Sequence, residues 1–503
     1  DWVLESENVD VNMIYLYFNE KVLDIDVVLA TAQVFSNIFV SSDQQSLYIA
    51  GYGPNPSNYG LDNSRKYFNR TKFYGNTNNN YNVLDSDEKI MQVEVAREAF
   101  FFRTSKNKLY SFGKNRWGIL GYGSSANSGT IKQFPHEVLF SGTNPLDTKT
   151  MKQIVLTSGN GQHSKQAFIL FEDGTIYGSG SSDIVLGNNV PTAQYFGEIT
   201  YTVTYNSGEK PIRLAGGYFS LMVLTNQNRL FSVGNNQNGV TARGTTSGAS
   251  NYGLVQFKSG HAMASDEKII TLYANQQNFG FLTDQGNIYA VGDNGGGHLG
   301  TGNTTTQSQF LKIPKTLNNG GNISGNITKL FGMAQSIIVY TDANKYYTIG
   351  EGNSFRTLLN TENDFKKWME VHFNPYSYMN NSHMVDFNSL LNAYSGMNEN
   401  GEVFSWGFSG TFGILGTNQA NNNKQRSPHR TYISSTSNSS NYFTDALFGT
   451  TYFDHLTNDE IDAHNGASSG GSSYNIPLIS TFNTVIDASS NTVLHFDTDS
   501  SYS

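Results

Sequence analysis

Short runs of aromatic and aliphatic residues, each closed by a glycine, recur along most of this chain. The runs are SLYIAG, KLYSFG, TIYGSG, RLFSVG, NIYAVG, KYYTIG and EVFSWG, ending at Gly51, Gly113, Gly180, Gly234, Gly292, Gly350 and Gly407. Their intervals are 62, 67, 54, 58, 58 and 57 residues. Upstream of most lies a second apolar run, separated by a turn, as in FILFEDGTIYGSG and FGFLTDQGNIYAVG. Asp-Gly, Asn-Gly, Asp-Ala-Asn and Asn-Gln-Asn supply the positive-φ positions that a tight hairpin needs. A further run precedes these, as in IRLAGGYFS and ITKLFGMAQ, whose small residues allow close backbone approach. Each unit is therefore predicted to be an antiparallel meander of three or four short strands.

The downstream half carries a second mark. Leu120-Gly121, Leu186-Gly187, Leu299-Gly300 and Leu415-Gly416 follow the phrase, and Pro135, Pro191, Pro314 and Pro428 come later. The first unit keeps only Tyr59-Gly60, the fourth has NGVTARG and the sixth RTLLNTEN, which read as diverged surface on a retained core. One unit cannot bury both faces, whereas a ring of them can. The phrase glycine is expected to end its strand where the chain turns sharply, in a conformation that a Cβ hinders. The leucine after it is expected to plug the space between neighbouring units.

The phrase repeated seven times over roughly residues 34–430, fullest in VFSWG…GILGTN, resembles the regulator of chromosome condensation repeat. That resemblance implies an all-β, seven-bladed β-propeller of antiparallel three- to four-stranded blades, with loops on two faces and N- and C-terminal extensions. Residues 1–33, with the strand-like VNMIYLYF, form an N-terminal extension able to close the first blade. The propeller is assigned to 34–440 and a tail to 441–503. The tail holds a Gly/Ser linker at 465–475 and two β-rich runs around DASSN, suited either to the same ring or to a neighbour's sheet.

Composition narrows the function. Charged residues are 15%, the net charge is −9 and no basic stretch stands out, which disfavours nucleic-acid backbone binding. Cysteine is absent, removing disulfides and thiolate ligands. No run is long and apolar enough to span a bilayer. The low charge, the absence of cysteine and the start at Asp1 lean towards a processed, extracellular, cell-surface or virion protein, with a cytoplasmic or nuclear one as the alternative. Sequons at Asn69, Asn303, Asn322, Asn326, Asn380 and Asn438 are about as many as this composition gives by chance.

Catalytic strings fail on context. Ser468 in GASSG sits in the Gly/Ser linker without a strand-turn-helix, and GGGHLG belongs to the repeat rather than to a dinucleotide fold. No enzyme activity and no cofactor are expected. The one metal candidate is Asp454, His455, Asp459, Glu460, Asp462 and His464, more simply read as a solvated acidic loop. Trp117 and Trp406 are expected to pack between blades, while Tyr59, Tyr122 and Phe412 are placed near the rim.

The reading that remains is a non-enzymatic propeller that binds protein partners through its rim loops, with copies of itself as a second partner through the tail. The rim candidates are Lys114, Arg116, Trp117, Asp183, Asp293, Asn294, His298, Phe408 and Phe412. Two alternatives stay open. The resemblance implies nucleotide exchange on a Ran-type GTPase, for which Asp183 in GSGSSDIVLGNN is the matching acidic residue, though the stretch is short for a projecting wedge. An inhibitor-type or glycan-binding propeller is the other.

Overall fold

The computed structural model describes residues 36–40, 44–45, 47–52, 63–70, 84–96, 99–123, 130–157, 166–181, 184–186, 194–217, 220–275, 277–333, 335–352, 358–359, 363–371, 384–389, 393–398, 403–408, 424–430, 479–482 and 496–498. The chain divides into two compact units, Ile25–Thr431 and a smaller one of Asp1–Asp24 with Tyr432–Ser503.

Among the described residues the larger unit holds seven antiparallel sheets in chain order. Sheet one is β1 (Ser36–Val40), β2 (Leu47–Tyr52) and β3 (Asn63–Arg70). Sheet two is β4 (Ile90–Ala96), β5 (Ala99–Thr104), β6 (Leu109–Asn115) and β7 (Thr130–Glu137). Sheet three is β8 (Met151–Thr157), β9 (Gln166–Phe171), β10 (Ile176–Gly180) and β11 (Gly197–Ile199). Sheet four is β12 (Pro211–Gly216), β13 (Ser220–Thr225), β14 (Leu230–Asn235) and β15 (Ala249–Leu254). Sheet five is β16 (Ile269–Ala274), β17 (Asn278–Thr283), β18 (Ile288–Gly292) and β19 (Gln307–Lys312). Sheet six is β20 (Ile327–Gly332), β21 (Ser336–Thr341), β22 (Tyr346–Gly350) and β23 (Phe365–Val371). Sheet seven is β24 (Met384–Ser389), β25 (Ala393–Asn398), β26 (Val403–Phe408) and β27 (Lys424–Arg430). Each is a simple meander, and from sheet two to sheet seven the first strands lie side by side. In the smaller unit, β28 (Ile479–Phe482) pairs antiparallel with β29 (Phe496–Thr498), so the two β-rich tail runs meet each other.

Burial explains the sequence pattern. The second and third strands of sheets three and five are buried at every position, because both faces of a sheet are covered by its neighbours. Six core clusters fill the six seams between consecutive sheets, from Val40 with Phe100 between sheets one and two to Tyr346 with Trp406 between six and seven. Trp406 packs there against Tyr394 and Phe387, as expected of a seam residue. The loop plugs follow suit: Leu120, Leu186 and Leu299 enter the seam with the next sheet. In the loops that look diverged, Val240, at the place of Ile119, and Leu358 enter the corresponding seams.

The inner strands are sewn together. Gln92 donates from its amide to Ile154 O at 2.8 Å and accepts from Ile154 N at 3.1 Å, and Gln153 does the same with Leu214. A Cβ on Gly216 would come within 2.2 Å of Leu156 O, so glycine is what lets those strands approach.

Before three inner strands stands a buried glutamate: Glu88, Glu209 and Glu267, each followed by lysine. Thr104, Thr225 and Thr283 donate to these carboxylates at 2.5, 2.6 and 2.6 Å. Burial works to raise the Glu267 pKa. Thr283, Asn287, the Ala264 N–H and Tyr289 outweigh it, holding the carboxyl below 4.5. Glu209 is likewise low, against burial, through Thr225, the Asn206 N–H and Arg229.

Candidate functional site

Inner and third strands run in the same direction, so the loops after them emerge at the same end of each sheet. The repeated glycine joins these two loops. Its φ is +105° at Gly113, +111° at Gly180, +118° at Gly234, +116° at Gly292, +117° at Gly350 and +99° at Gly407. A Cβ on Gly292 would sit 2.2 Å from Gln277 O, and on Gly350 2.5 Å from Gln335 O. The residue after the glycine donates its N–H to the same carbonyl, Asp293 to Gln277 at 3.0 Å and Glu351 to Gln335 at 2.9 Å. The strand does not always end there: β6 continues to Asn115, and the ladder bulges between Ser111 and Gly113. The glycine therefore redirects a strand through a bulge, which is a different role from the simple stop that its position suggests.

Two residues on, an asparagine fixes the loop from inside. Asn115, Asn236 and Asn294 are fully buried and accept from the N–H of Leu120, Thr241 and Leu299 at 2.9, 3.1 and 2.8 Å. The backbone then repeats a pattern of positive φ: Gly118 +77°, Gly121 +69° and Gly123 +77° match Gly239 +75°, Ala242 +55° and Gly244 +82°, and Gly297 +79°, Gly300 +60° and Gly302 +78°. The loops also lean on the next sheet, Gly244 N bonding Ser308 O and Gly302 N bonding Lys366 O, both at 2.8 Å. The fourth unit's NGVTARG, which looks degenerate as a string, thus keeps the full loop geometry.

On this frame the candidate residues separate. Lys114, Arg116 and Trp117 are half-exposed on sheet two, Trp117 at φ +52°. Asp293 is half-exposed on sheet five, its carboxylate 3.6 Å from His298 Nδ1. Asn294 and His298 are buried: the first is the loop staple, and the second lies inside its own loop. Tyr122 also turns inward, packing into the seam and donating to Ser111 O. Phe408 ends β26 opposite Lys424. Asp183, Phe412, Tyr59, Ser468 and the set Asp454, His455, Asp459, Glu460, Asp462 and His464 lie outside the described residues. Sequence reasoning passed over Asn235, Gln237 and Asn238, which occupy on sheet four the places of Lys114, Arg116 and Trp117 and are half-exposed or exposed. The signal was Asn236 before Asn238-Gly239, masked by the missing Leu-Gly. On the inner strand β4, burial pushes the Glu94 carboxyl up to about 7, against a hydrogen bond from Gln92.

No family model matches the chain. An RCC1 repeat-containing protein of Dictyostelium discoideum is 28% identical over 192 residues, which is 37% of this chain and 37% of that protein. Human WBSCR16 is similar in structure at a TM-score of 0.56 and 14% identity, covering 75% of this chain and 89% of that one. Yeast RCC1 (Prp20) gives 0.55 and 15%, covering 72% and 78%. With the phrase, its seven copies and the meander sheets, these likenesses give the chain the β-propeller fold and make it similar to RCC1 repeat proteins.

Proposed function

We propose that this chain binds protein partners through the loops that follow its third strands. The observation that carries this is one backbone frame presenting different side chains at the same outward places. Lys114, Arg116 and Trp117 on sheet two become Asn235, Gln237 and Asn238 on sheet four, and Asp293 stands at the first of these places on sheet five. A rigid scaffold with varied loop side chains is suited to recognition, and the face it offers runs from basic to acidic. Yeast Prp20, described as bound to Kap60 and as binding Gsp1p and histones, supports a protein as the partner. That likeness favours a cytoplasmic or nuclear setting over the extracellular or virion one that composition suggests.

The test is comparative capture from the native source, with Lys114→Glu, Arg116→Glu and Trp117→Ala combined in one variant. The reading expects at least one protein held by the unaltered chain to be lost at unchanged melting temperature. Identical capture by both forms contradicts it. Exchange on a Ran-type GTPase is the second reading, favoured by the likeness to Prp20. Unchanged nucleotide release from such a GTPase in the presence of this chain removes it.

A further inference from the structure

The outer strand of each sheet presents an edge, and the chain deals with these edges in ways that can be compared position by position. One place in each outer strand, just before the residue paired with the middle of the phrase, holds Pro135, Phe196, Tyr252, Phe310, Trp368 and Pro428 in sheets two to seven. In sheets three, five and six the connection leaving the preceding sheet pairs with it. Phe196 N donates to Leu139 O and Ser141 N to Phe196 O; Phe310 N donates to Gln256 O and Lys258 N to Phe310 O. Trp368 N donates to Thr316 O and Asn318 N to Trp368 O. In sheets two and seven a proline removes the donor, a usual way of blunting an edge.

Among the described residues sheet four has neither protection. Its connection, Thr200–Tyr205, touches Tyr252 through side chains alone: Tyr201 stacks on the ring at 4.2 Å, and the Tyr205 hydroxyl lies 2.6 Å from that of Tyr252. Among the described residues no backbone hydrogen bond joins this connection to β15. Phe196, Phe310 and Trp368 are buried, with 0%, 0% and 1% exposed, whereas Tyr252 is half-buried and Leu254 beside it is 47% exposed. The Arg243 guanidinium lies against Gly253, where a Cβ would be 2.2 Å from Nη1. Among the described residues its Nη1 is buried without a hydrogen-bond partner, and no ion pair to Arg243 is formed.

We propose that the outer edge of β15 accepts an extended acidic peptide segment as an added strand, its main chain pairing at Tyr252 and a carboxylate meeting Arg243. Strand addition at an exposed edge draws affinity from main-chain hydrogen bonds and specificity from side chains at alternate positions. A carboxylate beside Gly253 would supply half-exposed Arg243 with the charged acceptor it lacks among the described residues. This edge is separate from the loop face, so its failure leaves the preceding proposal standing.

The probe is a labelled peptide, acetyl-Thr-Val-Thr-Asp-Val-Thr-Val-Thr-amide, titrated against the full chain by fluorescence anisotropy. Saturable binding is expected at or below about 1 mM. A Lys-for-Asp peptide should bind at least tenfold more weakly, and Arg243→Gln should abolish that difference. Tyr252→Pro, which places here the residue that sheets two and seven already use, should weaken binding at least tenfold. Hydrogen exchange on the unaltered chain adds a readout free of variants: the Tyr252 amide should exchange at least a hundredfold faster than that of Phe310. Absence of saturable binding overturns the proposal. So does equal binding of an alternately N-methylated peptide, or a Tyr252 amide as protected as that of Phe310.

Discussion

Replacing Gly292 with alanine isolates what the repeated glycine does. Its φ of +116° lies where a side chain is disfavoured, at about 1–2 kcal/mol. The added Cβ would also stand 2.2 Å from Gln277 O and 3.0 Å from Asn278 Cα, both main chain, so relief requires moving the loop that Asp293 N is bonded to. Overpacking of this kind adds about 1–3 kcal/mol. The lower entropy of the unfolded alanine chain returns about 0.4–1 kcal/mol. The net loss is about 3 kcal/mol. Gly208 is the internal control: its φ is +70°, but nothing lies within 4 Å of the added Cβ, so Gly208→Ala should cost only about 1 kcal/mol. Urea unfolding at constant slope reads both as shifts in midpoint. Equal losses for the two variants would refute the claim that close approach, rather than dihedral freedom alone, places glycine in the phrase.

Three further outcomes follow from the same geometry. Thr283→Val removes one of the donors to the buried Glu267 carboxylate and should cost about 1–3 kcal/mol at neutral pH, measured by the same unfolding assay. Glu209 and Glu267 titrate lower in the folded chain than the ordinary 4.5, so their contribution is complete above that pH and is lost as pH falls through the folded values. A melting temperature that fails to drop between pH 5 and pH 3 contradicts this. Ala242 stands at φ +55° where the parallel loops carry glycine, but its methyl is buried in the seam. Relieved strain of about 1–2 kcal/mol is offset by the lost methyl and the freer unfolded chain, so Ala242→Gly should leave the melting temperature nearly unchanged.

The strands and hairpins were legible because each position is read locally: Asn228 and Asn344 take positive φ at the predicted turns, as Gly174 and Gly286 do. The seam leucines were legible too, since Leu-Gly marks an apolar residue at a sharp bend. Asn294 and His298 misled because an asparagine in a glycine-rich loop looks solvent-facing, whereas its amide is consumed by backbone groups that only the folded loop brings together. The glutamates before the inner strands went unread although Ser-Asp-Glu-Lys stands at Ser86 and at Ser265, because a lone Glu-Lys pair resembles surface. The covering of Phe196, Phe310 and Trp368 had no sequence signal at all. It depends on where one sheet's exit passes the next sheet's edge.

The account rests most directly on how the seven sheets meet. Six seams join consecutive sheets through sheet seven, and a propeller needs one more, between sheet seven and sheet one. An experimental density map that resolves the main chain measures this. Seven sheets around one axis with that last seam filled is the predicted result; a different number of sheets, or an open superhelix whose first and seventh sheets stand apart, contradicts it.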